Sequence, residues 1–146
     1  MPTHEERRVL PYTPRQLFDL VADIERYPEF LPWCAAARVK GGNGNTLLAD
    51  LVIGFGMLRE HFTSRVVLEP DAPTPRLDMS LVEGPFKFMN GHWQFRPIEQ
   101  GCEVGFSVDF EFRSRLLQTT IQLLFHEAVR QMVRAFEERA RKIYGK

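Results

Sequence analysis

The stretch LLQTTIQLLFHEAVRQMVRAFEERARKIY, Leu116 to Tyr144, decides the fold. No Gly or Pro interrupts it. Leu117, Ile121, Leu124, Ala128, Met132, Phe136 and Ile143 recur at helical spacing, which predicts one long helix. Its first half, LLQTTIQLLF, is apolar on more than one side, the pattern of a helix buried against two surfaces. The preceding residues must supply those surfaces.

They read mainly as strands. Thr3 to Leu10 is a first strand, and six runs follow between Ala35 and Phe112, most alternating with period two. Turn chemistry separates them at GGNGN (Gly41 to Asn45), Pro70 to Pro75, Gly84-Pro85 and Pro97 to Gly101. GGNGN is no phosphate loop, because no Lys-Ser/Thr follows it and no helix opens there. Gly54 and Gly56 flank Phe55 and permit a sharp bend. One face of the runs collects Leu51, Phe55, Phe62, Ser64, Val66, Met79, Met89, Trp93, Phe95, Phe106, Phe110 and Phe112. A single carboxylate, Glu60, falls on that face between Leu58 and Phe62.

Between the first strand and the rest lies a helix with a clear start. Thr13 is a good N-cap, Pro14 suits the first helical position, and Gln16 completes a capping box. Leu17, Phe18, Leu20, Val21 and Ile24 follow at helical spacing, and Pro28 is expected to end the helix. The segment DIERYPEFLPWC (Asp23 to Cys34) then leaves room for one short helical turn before Pro32. The whole predicts an α+β fold: a curved antiparallel sheet of six to seven strands wrapped round a long C-terminal helix, with two short helices after strand one. A bent sheet and a straight helix diverge, so a gap lined by Phe, Leu, Met and Trp is expected between them.

The length of 146 residues fits one domain, 1–146. Net charge is zero, but Arg113 to Lys146 holds eight Arg/Lys against three Glu. That excess favours phosphate or anionic lipid, and it also suits the C-terminal end of a helix. Cys34 and Cys102 have no metal spacing and read as free thiols of a reducing compartment. No run approaches the roughly 18 apolar residues of a membrane span, and the N-terminus has no signal-peptide pattern. A cytoplasmic protein is expected, in peripheral contact with the inner membrane face.

DIERYPEFLPWC, DLVIGFGMLREHFTSRV, GPFKFMNGHWQFRP, DFEFRSRL and HEAVRQMVRAFEERARKIY occur in that order from Asp23 to Tyr144. Together they resemble the coenzyme Q-binding protein family and its sister branch, the bacterial ribosome association toxins, both of the START-like, polyketide-cyclase-like helix-grip fold. GPFKFMNGHWQF leans toward the toxin branch; IGF, REHFTSRV and FEFRS lean toward the quinone-binding branch. The resemblance implies a non-catalytic lipid chaperone or carrier that binds a polyprenyl quinone, ubiquinone, in support of respiratory electron transfer, with no covalent cofactor. The sister branch implies a toxin–antitoxin system whose toxin binds the large ribosomal subunit and blocks subunit association. There the basic helix residues Arg130, Arg134, Arg141 and Lys142 would meet rRNA phosphates. A polyketide cyclase or aromatase is the weaker alternative, and no DNA partner is implied.

The residues themselves argue against catalysis. His61 and His92 point to solvent by alternation, and no His, Cys and carboxylate share a zinc-like spacing. The expected cavity lining is Leu51, Phe55, Phe62, Trp93, Phe106, Phe110, Leu117, Ile121 and Leu124, with Phe30, Leu31 and Trp33 at its mouth. Glu60 is either a polar anchor for a ligand head group or a structural partner of an Arg. A quinone offers only acceptor oxygens, so an inward donor such as the Trp93 indole suits it. The domain's radius of gyration is about 15 Å. A long polyprenyl tail must therefore fold up inside or extend into a bilayer, with Phe30, Leu31 and Trp33 touching that membrane.

Overall fold

The computed structural model describes residues 3–55 and 58–145; for Phe55, Leu58, Leu123 and Leu124 it describes the backbone alone. The elements are β1 (Thr3–Leu10), α1 (Pro14–Ala22), a short 3-10 helix (Ile24–Glu29), β2 (Cys34–Asn43), β3 (Thr46–Phe55), β4 (Leu58–Glu69), β5 (Arg76–Glu83), β6 (Phe86–Ile98), β7 (Gly101–Phe112) and α2 (Arg115–Tyr144). The seven strands form one antiparallel sheet in the order β1-β7-β6-β5-β4-β3-β2. Each strand from β2 to β7 hairpins onto the next, and β1 closes on β7 with Leu10 opposite Cys102. Gly101 opens β7 at φ 144°, and a Cβ there would collide with the Leu10 carbonyl oxygen. The β6–β7 turn therefore needs glycine.

α1 starts as its sequence requires. The Thr13 hydroxyl accepts from the Gln16 N–H at 3.1 Å, and the Gln16 side chain accepts from the Thr13 N–H at 3.0 Å. It ends earlier than expected, at Ala22, and Pro28 lies inside the 3-10 helix instead of stopping α1. The short helix thus comes before residues 30–33, not between Pro28 and Pro32. The exchange is physically reasonable. The Tyr27 hydroxyl donates to the Val21 carbonyl, one of the acceptors that the last turn of α1 leaves unpaired.

α2 runs the full predicted length from a Ser114 cap, whose hydroxyl accepts from the Leu117 N–H at 3.2 Å. Its buried line differs from the expected stripe. Ile121, Phe125, Val129, Val133, Phe136 and Ala140 are buried, whereas Ile143 is 50% exposed. The C-terminal turn is held by tyrosines: Tyr144 donates to the Gln16 carbonyl at 2.8 Å and Tyr12 to the Gly145 carbonyl at 3.0 Å. Those bonds fix the rotation of this end of α2 and leave Ile143 turned outward.

The core is one cluster between sheet and helices. Its aromatic members interlock edge to face: Phe86 meets Phe62 at 5.5 Å and Phe110 at 5.7 Å, and Phe136 meets Trp93 at 5.1 Å. Thr63 is buried on the outer side, where its hydroxyl donates to Asp50 at 2.5 Å. No helix among the described residues is long and apolar enough to cross a membrane.

Candidate functional site

The sheet and α2 leave a cavity of about 180 Å³. The sheet contributes Leu51, Ile53, Phe62, Met79, Phe86, Met89, Trp93, Phe106, Val108, Phe110 and Phe112. Helix α2 contributes Ile121, Phe125, Ala128, Val129, Met132 and Phe136, and the segment after α1 contributes Tyr27 and Trp33. Tyr27 is the one titratable group in the wall. Burial raises its hydroxyl far above the ordinary value, and that hydroxyl is committed to Val21. The two indole N–H groups, of Trp33 and Trp93, are the remaining polar atoms of the lining side chains. Such a surface recognises apolar shape, and its lining side chains hold no acid–base pair.

Of the residues expected at the site, Trp33, Leu51, Phe62, Trp93, Phe106, Phe110 and Ile121 line the cavity. Leu117 is half-buried and stands off the wall, one turn before Ile121. Phe55 and Leu124 fall outside the described side chains. Glu60 is half-buried and is not part of the cavity wall. Its register partner Ile53 and its neighbour Phe62 fill that stretch, and the half-buried Glu60 avoids the cost of full burial.

Phe30 and Leu31 also stand outside the cavity. With Pro28, Glu29, Pro32, Gln131 and Arg134 they line a separate outer groove. Phe30 packs on Phe136 at 5.1 Å and on Tyr27 at 6.1 Å. The Arg139 guanidinium sits 5.0 Å from the Phe30 ring and donates to Glu29 at 2.7 Å. That hydrogen bond leads the causes that hold the Glu29 carboxyl below its ordinary range. The cation–π contact and the ion pair together clasp the 3-10 helix to α2.

Phe86, Phe125 and Val129 were not foreseen in the wall. Following the i, i+4 line from Ile121 would have found Phe125 and Val129. Phe86 follows Pro85 directly and carries no alternation signal. The histidines stay away from the cavity: His61 and His92 lie on the outer sheet face, and His92 Nδ1 is 2.6 Å from Asp78. His4 is buried beneath α2, its Nδ1 2.7 Å from His126 Nδ1 and its Nε2 2.9 Å from Glu6. Among the described residues no group of three or more His, Cys, Asp or Glu is placed to hold a metal. Both thiols are buried, and desolvation raises each to about 11.

Known proteins match this chain closely. A family model described as polyketide cyclase / dehydrase and lipid transport matches residues 10–137. The ribosome association toxin RatA of Pseudomonas aeruginosa is 42% identical over 147 residues, covering 99% of this chain and 100% of that protein. The mitochondrial coenzyme Q-binding protein COQ10 homolog B of Xenopus laevis is 32% identical over 148 residues, covering 98% of this chain and 59% of that protein. In architecture, the Zhui aromatase/cyclase of Streptomyces sp. R1128 superposes with a TM-score of 0.82 over 97% of this chain and 95% of that one, at 14% identity.

Proposed function

The chain belongs to the polyketide cyclase, dehydrase and lipid transport family, and from that premise we propose that it is a non-catalytic carrier of a polyprenyl quinone. The observation that carries this reading is the cavity between sheet and α2, whose wall is built from aliphatic and aromatic side chains. An isoprenoid chain needs apolar contact and almost no hydrogen bonding, and the Trp33 and Trp93 N–H groups suit the quinone carbonyls. The likeness to a coenzyme Q-binding protein supports the ligand class.

Size limits what is held at one time. A dry cavity of about 150 Å³ takes one benzene ring, so 180 Å³ accommodates a single ring or one to two isoprene units. The rest of a long tail lies outside, or α2 and the clasped 3-10 helix move apart to admit it. Loading therefore involves contact with a membrane. The test is to purify the protein natively, extract it with organic solvent and identify the lipid by mass. Near-stoichiometric quinone supports the reading, and recovery of no lipid after mild purification overturns it.

A second reading has its own support. Relatives that match the chain end to end carry the name ribosome association toxin, and on that basis this protein binds the large ribosomal subunit. Co-sedimentation with purified large subunits tests it directly. The two readings are compatible in one molecule, because the cavity between sheet and α2 and an outer surface do not compete for residues.

A further inference from the structure

The outer face of the sheet divides into two halves of different electrostatic character. On the half made by β5, β6, β7 and β1 the arginines are paired. Arg76 lies 3.1 Å from Asp78, Arg96 is 2.8 Å from Glu103, and Arg7 is 3.8 Å from Glu103. On the half made by β2, β3 and β4 the pattern changes. Arg38, Lys40, Arg59, His61 and Arg65 are all exposed on three neighbouring strands.

The register shows how they cluster. Arg38 stands opposite Asp50, Leu48 opposite Arg65, Val52 opposite His61 and Gly54 opposite Arg59. The Arg59 side chain lies over Gly54, where a Cβ would meet its guanidinium at 2.6 Å. Asp50 is the carboxylate at the centre, and it is already engaged. It accepts from the Thr63 hydroxyl at 2.5 Å and lies 3.6 Å from Lys40 and 3.7 Å from His61. Of the carboxylates from other elements, Glu25 accepts from the Val39 N–H at 2.9 Å, and the exposed Glu83 of β5 stands opposite Thr63. Among the described residues Arg38 and Arg65 have no ion-pair partner. They lie two strand spacings apart, about 10 Å across the sheet.

We infer that this β2–β3–β4 outer face is a docking surface for the phosphate backbone of duplex RNA. Two guanidinium groups on a rigid sheet, those of Arg38 and Arg65, left without carboxylate partners, match the bidentate geometry and negative charge of phosphates. The apolar residues between them are Leu48, Val52 and Val67. None is aromatic, so the face has no platform on which unpaired bases stack. A backbone-reading surface without stacking fits a helical stem. The inference rests on the ribosomal reading above and sets the sheet face against α2 as the contact. On α2, Arg130 pairs with Glu127 at 3.6 Å, whereas Arg134, Arg141 and Lys142 are exposed and have no ion-pair partner among the described residues, so the comparison of variants decides between the two surfaces.

The test uses the full chain and purified large ribosomal subunits, with binding measured between 50 and 300 mM salt. Log affinity changes by about −0.9 per phosphate contact per unit of log salt. Loss of two contacts in the double variant Arg38→Gln/Arg65→Gln therefore predicts binding about 30-fold weaker at 0.15 M salt and a slope shallower by about two. The pair Arg130→Gln/Arg134→Gln is expected to bind within about threefold of wild type. Both double variants change exposed side chains, so an unchanged melting temperature and an unchanged lipid content confirm intact folding.

Wild-type binding that the sheet pair does not weaken overturns the proposed face and leaves the ribosomal reading standing. Absence of any wild-type binding overturns both. Loss of binding to phosphatidylglycerol vesicles, with subunit binding unchanged, assigns the face to membrane and equally overturns the inference.

Discussion

Filling the cavity separates a binding site from a packing defect. Ala128 lies on α2 with its side chain on the cavity wall, so Ala128→Leu pushes an isobutyl group into the space. Three added carbons at about 0.8 kcal/mol each contribute about 2.4 kcal/mol of burial. Ordering the leucine costs about 0.5–1 kcal/mol. Helix propensity barely changes between Ala and Leu. The ligand-free protein should gain about 1.5–2 kcal/mol, a rise of about 3–8 °C in Tm for a chain of this size. The same side chain takes space that a ring or isoprene unit would use, so lipid recovered by extraction should fall sharply. Thermal denaturation of delipidated protein and mass analysis of the native extract read the two effects. A Tm that falls by several degrees would show that the wall cannot accept added volume. Unchanged lipid content in a stabilised variant would place the ligand elsewhere and refute the carrier reading.

Other outcomes follow from the same geometry. Phe136 touches Tyr27, Phe30 and Trp93, so Phe136→Ala should cost about 3–5 kcal/mol and lower Tm by about 6–20 °C in thermal denaturation. Cys34 and Cys102 are raised from 9.0 to about 11, which cuts the thiolate fraction at pH 8 about 100-fold; iodoacetamide should label both in denaturant and hardly at all in the native state, as read by mass. Glu6, Asp50 and Asp78 have carboxyl groups held below their ordinary values. At Glu6 and Asp78 burial is the largest single cause and pushes upward, but hydrogen bonds and the charges of Arg8 and His4, or Arg76 and His92, together outweigh it; the Thr63 hydroxyl is the largest cause at Asp50. Because these values are depressed on folding, the stability they contribute is present above about pH 4.5 and is lost as pH falls through the depressed values; Tm measured against pH should be flat near neutrality and drop below about pH 4.

The sequence by itself determined the elements and their order. Capping chemistry at Thr13, glycine and proline turns, and period-two alternation are local properties, so the strands and the long helix could be read from neighbouring residues alone, while the end of α1 and the place of the short helix could not. It also determined that the interior would be aromatic, because Phe62, Trp93, Phe106 and Phe110 fall on one side of their strands whatever the strands pack against. Tertiary structure decided the rest. The rotation of the end of α2 depends on Tyr12 and Tyr144 reaching acceptors more than a hundred residues away in sequence, and Ile143 is turned out there. The clasping of the 3-10 segment to α2 depends on Arg139 meeting Glu29 and Phe30, a contact between distant positions that no local pattern encodes. Glu60 kept its place on the inner register yet stayed out of the cavity. Alternation assigns a side chain to a face, whereas the free energy of burying a charge decides how far along that face it can go.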